Sequence, residues 1–170
     1  MSNAFYLLAI LAHMTGGMTE SNEPSEAKGS LRLEASVVGS SGKAVVVRVL
    51  LVNESPSPVW VNRRLAWNAP ASSPGLGEIT VDVRDVVSGV SLDFECRLRN
   101  KKATKDDYAV LWPGDIVGRR FALTCLTFEK RMYELVVKYR DGNEEVKLPP
   151  GVRRVSGELV SEPIALDLTR

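Results

Sequence analysis

Leu31-Arg32-Leu33-Glu34-Ala35-Ser36-Val37, then Gly39-Ser40-Ser41-Gly42, then Ala44-Val45-Val46-Val47-Arg48-Val49-Leu50-Leu51-Val52-Asn53: this stretch decides the fold. In its first part Leu31, Leu33, Ala35 and Val37 alternate with Arg32, Glu34 and Ser36. That is the period of a strand with one dry face and one wet face. The Gly-Ser cluster punctuates the chain as a turn. In the second part Val45, Val47, Val49 and Leu51 share one face, while Val46, Leu50 and Val52 flank Arg48 on the other. Apolar residues on both faces predict a central strand that is covered on both sides or reaches under a loop.

The same period renews itself toward the C-terminus. Pro56 and Pro58 precede a segment at 59–67, which suits an edge or a crossover between sheets. Residues 78–86 place Ile79, Val81 and Val83 inward, with Thr80, Asp82 and Arg84 outward; Ser88-Gly89 then turns the chain into a hairpin partner at 90–99. Further strands are expected at 108–112, 119–127, 132–140 and 158–168, and Asp141-Gly142 predicts a tight turn into a short strand at 145–148. The pattern amounts to about eight or nine antiparallel strands in a β-sandwich, with no long amphipathic helix.

Composition bounds the chemistry. Hydrophobic residues make up 44% of the 170, enough for a sizeable core, and 22 basic residues nearly cancel 21 acidic ones. No whole-chain field draws nucleic acid or acidic lipid, and neither partner is expected. The single histidine, His13, precedes the expected fold, so a Ser-His-Asp, Cys-His or multi-ligand zinc site has almost no material. Cys96 and Cys125 both fall in phase with apolar neighbours, which predicts buried thiols in the reduced state. A cross-core disulfide would require their Cα atoms to approach within about 7 Å.

Residues 1–29 read as an extension and linker, and residues 30–170 as the folded domain. The apolar run 5–12 (FYLLAILA) is shorter than the ~20 residues that span a bilayer, so no stable membrane span is expected. It falls within the roughly 7–15 residues of a signal-peptide core, but no Lys or Arg precedes it. The balance leans to a cytoplasmic protein, exported if residues 1–14 act as a signal peptide. Residues 15–30, rich in Gly, Ser, Glu and Asn, cannot bury enough apolar surface to fold alone.

Three local sequences carry a resemblance. Tyr108-Ala109-Val110-Leu111-Trp112-Pro113-Gly114 resembles the L-x-P-G corner before a late strand in many bacterial immunoglobulin-like domains. Met132-Tyr133-Glu134-Leu135-Val136-Val137-Lys138-Tyr139 is similar to their penultimate strand, where a tyrosine often anchors a corner. Ser161-Glu162-Pro163-Ile164-Ala165-Leu166-Asp167-Leu168 looks like their final strand. The resemblance implies an antiparallel immunoglobulin-like β-sandwich. Within that superfamily the ordering resembles small bacterial domains of the intracellular proteinase-inhibitor type, which implies protease binding. No inhibitory loop carries over residue by residue.

Trp60, Arg64, Trp67 and Leu76 are the expected partner contacts, because exposed Trp beside Arg is favoured at protein interfaces. The competing reading puts Trp67 in the core and Trp60 at the sandwich edge over an arginine stem. The loop 68–77 is long for a connection, yet offers shape without a reactive group. Arg97, Arg99, Lys101, Lys102 and Lys105 form a basic run without the stacking aromatics of a single-strand groove, so it reads as a solvated strand end. Asp82, Asp85, Asp93, Asp106, Asp107 and Asp115 lack the dense spacing of a calcium loop. Asn53-Glu54-Ser55 matches a glycosylation sequon but reads as a turn before Pro56.

The expectation is a non-enzymatic module that binds another protein, with no catalytic residue, cofactor or metal. A protease inhibitor and an assembly subunit that self-associates through strand edges are the alternatives. A hydrolase would need carboxylates converging in a pocket.

Overall fold

The computed structural model describes residues 31–41, 44–68, 77–93 and 101–169. These form ten strands and one short 3-10 turn, Lys105–Asp107. The strands are β1 (Arg32–Ser41), β2 (Ala44–Val52), β3 (Val59–Asn62), β4 (Ile79–Asp85), β5 (Tyr108–Leu111), β6 (Ile116–Ala122), β7 (Met132–Arg140), β8 (Arg153–Arg154), β9 (Glu158–Val160) and β10 (Ile164–Asp167).

They build three sheets in the orders β1-β2-β6, β10-β7-β4 and β5-β3-β8, with β9 also pairing β7. All-β character follows the alternation read from the sequence; ten strands replace the expected eight or nine. The arrangement is not wholly antiparallel, because β8 runs parallel to β3 through Val59–Arg153 and Trp60–Arg154. The long C-terminal segment is two strands that both hydrogen-bond β7, separated near Pro163, whose ring nitrogen carries no ladder donor. Residues 145–148 form no strand. In the expected hairpin partner at 90–99, Ser91 makes only an isolated bridge to Arg84, and residues 94–99 lie outside the described ones.

The core follows the period-two rule. Val45, Val47, Val49 and Leu51 of β2, Ile79, Val81 and Val83 of β4, and Leu135, Val137 and Tyr139 of β7 are buried in one cluster. Full burial of each aliphatic side chain is worth roughly 1.5–3 kcal/mol, so β2 alone anchors its sheet several times over. β2 is central, between β1 and β6, as expected. Its second face is only half covered: Val46, Leu50 and Val52 are intermediate in exposure. Gly118 of β6 lies opposite Leu50, whose side chain crosses it. A Cβ there would overlap Leu50 Cδ2 and sit 2.8 Å from the Val49 carbonyl oxygen.

Sequence periodicity misreads residues 59–67. The strand ends at Asn62, and the chain turns through Arg63-Arg64 with Leu65 at φ 44. A non-glycine residue in that left-handed region stores strain of the order of 1–3 kcal/mol, so the surroundings must impose it. Leu65 is fully buried, Asn62 Oδ1 accepts the Arg64 N–H at 3.1 Å, and a buried carboxylate accepts the Ala66 N–H at 2.8 Å. That carboxylate belongs to Glu78.

Candidate functional site

Glu78 precedes β4 by one residue and on alternation should face water with Thr80 and Asp82. Its side chain is instead fully buried. Oε1 accepts Asn62 Nδ2 at 2.9 Å and Asn143 Nδ2 at 3.3 Å, while Oε2 accepts the Ala66 N–H. The Arg64 guanidinium donates to both oxygens. Every lone pair of the carboxylate is thereby occupied.

A second buried carboxylate, Asp141, adjoins the first. Asp141 Oδ1 accepts the Tyr108 hydroxyl at 2.8 Å and Asn143 Nδ2 at 3.3 Å, and Oδ2 accepts Arg154 Nε at 2.8 Å. Arg154 also donates to the carbonyls of Asn143 and Val146 and lies 4.8 Å from the Tyr108 ring centroid. Burial pushes the Tyr108 phenol above its ordinary pKa, with Asp141 adding to the rise, so the hydroxyl remains a donor. Burial likewise raises Tyr139, whose hydroxyl oxygen accepts the Asn62 N–H at 3.2 Å.

Asn143 thus bridges two carboxylates, the convergence that a hydrolase would need. The Glu78 side chain is 0% exposed and that of Asp141 1%, and each is surrounded by its hydrogen-bond donors. A depression of about 520 Å³ opens beside Asp141, walled by Arg140, Glu144, Arg154 and Glu158. Arg154 is already committed there to Asp141 and two carbonyls. Among the described residues no group of three His, Cys, Asp or Glu side chains is placed to hold a metal ion.

The sequence-expected contacts land as follows. Trp60 is half-buried on β3 between Val110 and Arg154, and its indole N–H is buried without an acceptor among the described residues. Arg64 is 15% exposed and turned onto Glu78. Trp67 is buried and stacks on Phe121 at 5.8 Å between centroids. Leu76 and most of the loop 68–77 lie outside the described residues, as do Arg97 and Arg99 of the basic run. Lys101, Lys102 and Lys105 are exposed. Cys125 is buried and disulfide-bonded, which corrects the expectation of reduced thiols; Cys96, the other cysteine of the chain, lies outside the described residues. Chain spacing is silent on how closely two inward positions approach, and tertiary packing decides it. No described helix is long and apolar enough to cross a membrane.

Sequence reasoning passed over the turn after β4. Val86, Val87 and Val90 are 53%, 87% and 63% exposed, and the neighbouring Met132 is 44% exposed. A visible signal was there: valines flank Ser88-Gly89, where a hairpin tip ordinarily carries polar residues. The turn is rigidly held. Asp85 Oδ1 accepts the N–H groups of Val87 and Ser88 at 2.8 Å each, Asp85 N–H donates to the Val90 carbonyl, and Gly89 N–H to the Asp85 carbonyl. Arg131 donates to Asp85 Oδ2 at 3.1 Å, and the Val86 N–H donates to the Met132 carbonyl. A shallow depression of about 190 Å³ lies alongside, lined by Val90, Leu92, Glu129 and Arg131 among others.

The Ser88 N–H, then Arg131 and the Val87 N–H, hold the Asp85 carboxyl below its ordinary 3.8 against the opposing effect of desolvation. A folded-state pKa below the unfolded value stabilises the turn above the ordinary value and ceases to do so as pH falls through the depressed one. The Val87 and Ser88 amide shifts should therefore titrate with a midpoint below 3.8. A midpoint at or above that value in an NMR titration would show that Asp85 does not clamp the turn.

No protein-family model matches the chain, and no curated protein matches it.

Proposed function

We propose that this chain is a non-enzymatic protein-binding module that presents the Val86–Val90 turn as its recognition element. The observation that carries the reading is Val87, 87% exposed at the head of a turn already fixed by Asp85. Exposed aliphatic side chains cost free energy in water, and rigid presentation removes the ordering cost that binding otherwise imposes. Val86, Val90 and Met132 extend the patch, and Arg131 with Glu129 supplies a polar rim.

An immunoglobulin-like arrangement is the architecture that we infer for the module. Its support is the alternating strands and a tyrosine clamp at the start of β7: Tyr133 Oη accepts the Glu129 N–H at 2.9 Å, four residues upstream. The disulfide at Cys125 favours an oxidising compartment over the reducing cytosol. Protease inhibition has less support, because the presented turn is tight rather than extended into a cleft-filling segment.

Val87→Glu should leave unfolding unchanged and abolish capture of a stoichiometric partner, a loss of at least about tenfold in affinity, or 1.4 kcal/mol. Immobilised full-length chain and the variant, exposed to the same source extract, make the comparison. Equal capture by both would remove the turn from the interface, and capture of nothing by either would sink the binding reading.

A further inference from the structure

We propose that the outer face of the β1-β2-β6 sheet is a docking surface for the chain's own acidic segment, residues 19–28. Four cross-strand rows make up this face on β2 and β6: Val46 opposite Ala122, Arg48 opposite Arg120, Leu50 opposite Gly118, and Val52 opposite Ile116. Three rows are apolar or glycine. Ile116 is 59% exposed, and the Leu50 side chain lies across Gly118.

The remaining row sets two arginines side by side. Like charges directly opposite on neighbouring strands destabilise a sheet. Both are exposed, and among the described residues neither makes an ion pair or side-chain hydrogen bond, in contrast to Arg32, Arg64, Arg131 and Arg154. Glu34, the acid on the same face of β1, is taken by Arg32. The complementary occupant carries carboxylates beside small or apolar side chains.

Residues 19–28 have that composition: Glu20, Glu23 and Glu26 are interspersed with Thr, Ser, Asn, Pro and Ala, and Lys28 is the sole base. They also enter at the right place. Leu31 leads directly into β1, and Arg32 pairs with Val52, which pairs with Ile116, so the chain arrives at one end of the face. Arg48 lies level with Ser36, about five residues or 17 Å along the sheet from Leu31. Glu23 stands eight residues before Leu31, a reach of up to about 28 Å, which spans that distance with the reversal included.

Exposed ion pairs are individually weak. A tethered segment at an effective concentration near the millimolar range can nonetheless populate such a contact, whereas a second copy at micromolar concentration cannot. That difference favours the chain's own segment.

A nitroxide attached at Ser21→Cys on the full chain tests the proposal. Amide signals of Val46–Val52 and Ile116–Ala122 should be lost to paramagnetic broadening, while those at the middle of β7 persist. The loss should disappear in Arg48→Glu/Arg120→Glu, return when Glu20, Glu23 and Glu26 are also changed to Lys, and vanish near 1 M salt, where the Debye length is about 3 Å. Glu20→Gln/Glu23→Gln/Glu26→Gln tests the same contact without touching the sheet. Persistence of broadening in that variant, or its absence from the labelled wild type, overturns the proposal. So does broadening that appears only between nitroxide-bearing and isotope-labelled copies in a mixture, which would make the occupant a second chain.

Discussion

Glu78→Ala is expected to lower the stability of the domain by about 3–5 kcal/mol, the cost of removing one member of a buried ion pair. The Asn62 side-chain amide and the Ala66 N–H would lose their acceptor at once, while Asn143 would keep Asp141 and the Arg64 guanidinium the Lys101 carbonyl. The turn carrying Leu65 at φ 44 would lose the bond that holds it. For a domain of this size each kcal/mol lowers the melting temperature by roughly 2–4 °C, so a fall of about 6–20 °C should appear in a thermal scan. Glu78→Gln keeps the shape and one acceptor oxygen, and should cost less, about 1–3 kcal/mol. A loss within about 0.5 kcal/mol for the alanine variant, the range of ordinary surface changes, would mean that Glu78 does not organise this end of the fold.

Arg154→Met should cost a comparable 3–5 kcal/mol, for a different reason. Methionine retains the unbranched stem that packs by Tyr108, but the Asp141 carboxylate, 1% exposed, is left without its cation. The penalty is chiefly that of an uncompensated buried charge rather than of a lost attraction. Adding Asp141→Asn should therefore recover part of it, with a non-additivity of about 0.5–3 kcal/mol in a double-mutant cycle read by urea unfolding. Additive losses would show the two residues to be energetically independent, against the shared hydrogen bonds seen between them.

Both effects arise at residues that alternation alone assigns badly, whereas much of the fold was legible. β1, β2, β4 and β7 each bury one face against the aliphatic core, so their sequences carry the period directly. Glu78 shares the outward parity of Thr80 and Asp82, yet the Asn62–Ala66 turn and the Asp141–Asn143 loop close over it. Arg119 shows the converse. It sits directly opposite buried Val49, on the core-facing parity of β6, and at that open edge its guanidinium reaches the Arg64 carbonyl at 2.7 Å. An inward charge of this kind also protects an edge strand from pairing with another chain.

The partner contacts expected at Trp60, Arg64, Trp67 and Leu76 rest on residue type: Trp67 is buried, Trp60 half-buried and Arg64 turned onto Glu78, while Leu76 lies outside the described residues. The Val86–Val90 turn was open to the opposite inference, since valine at a turn head is a departure readable without coordinates.

The sequence by itself determined that this is an all-β chain with an aliphatic core, because a period of two is a local property of the backbone. It also bounded the chemistry through one histidine, two cysteines and a near-zero net charge. Only the tertiary structure decided that Glu78 and Asp141 are linked through Asn143, that β8 joins β3 in parallel, that Cys125 is oxidised, and that Arg48 and Arg120 stand opposite each other on a half-open face. Each of these depends on which strands and loops meet across the fold, and chain spacing carries no record of those meetings.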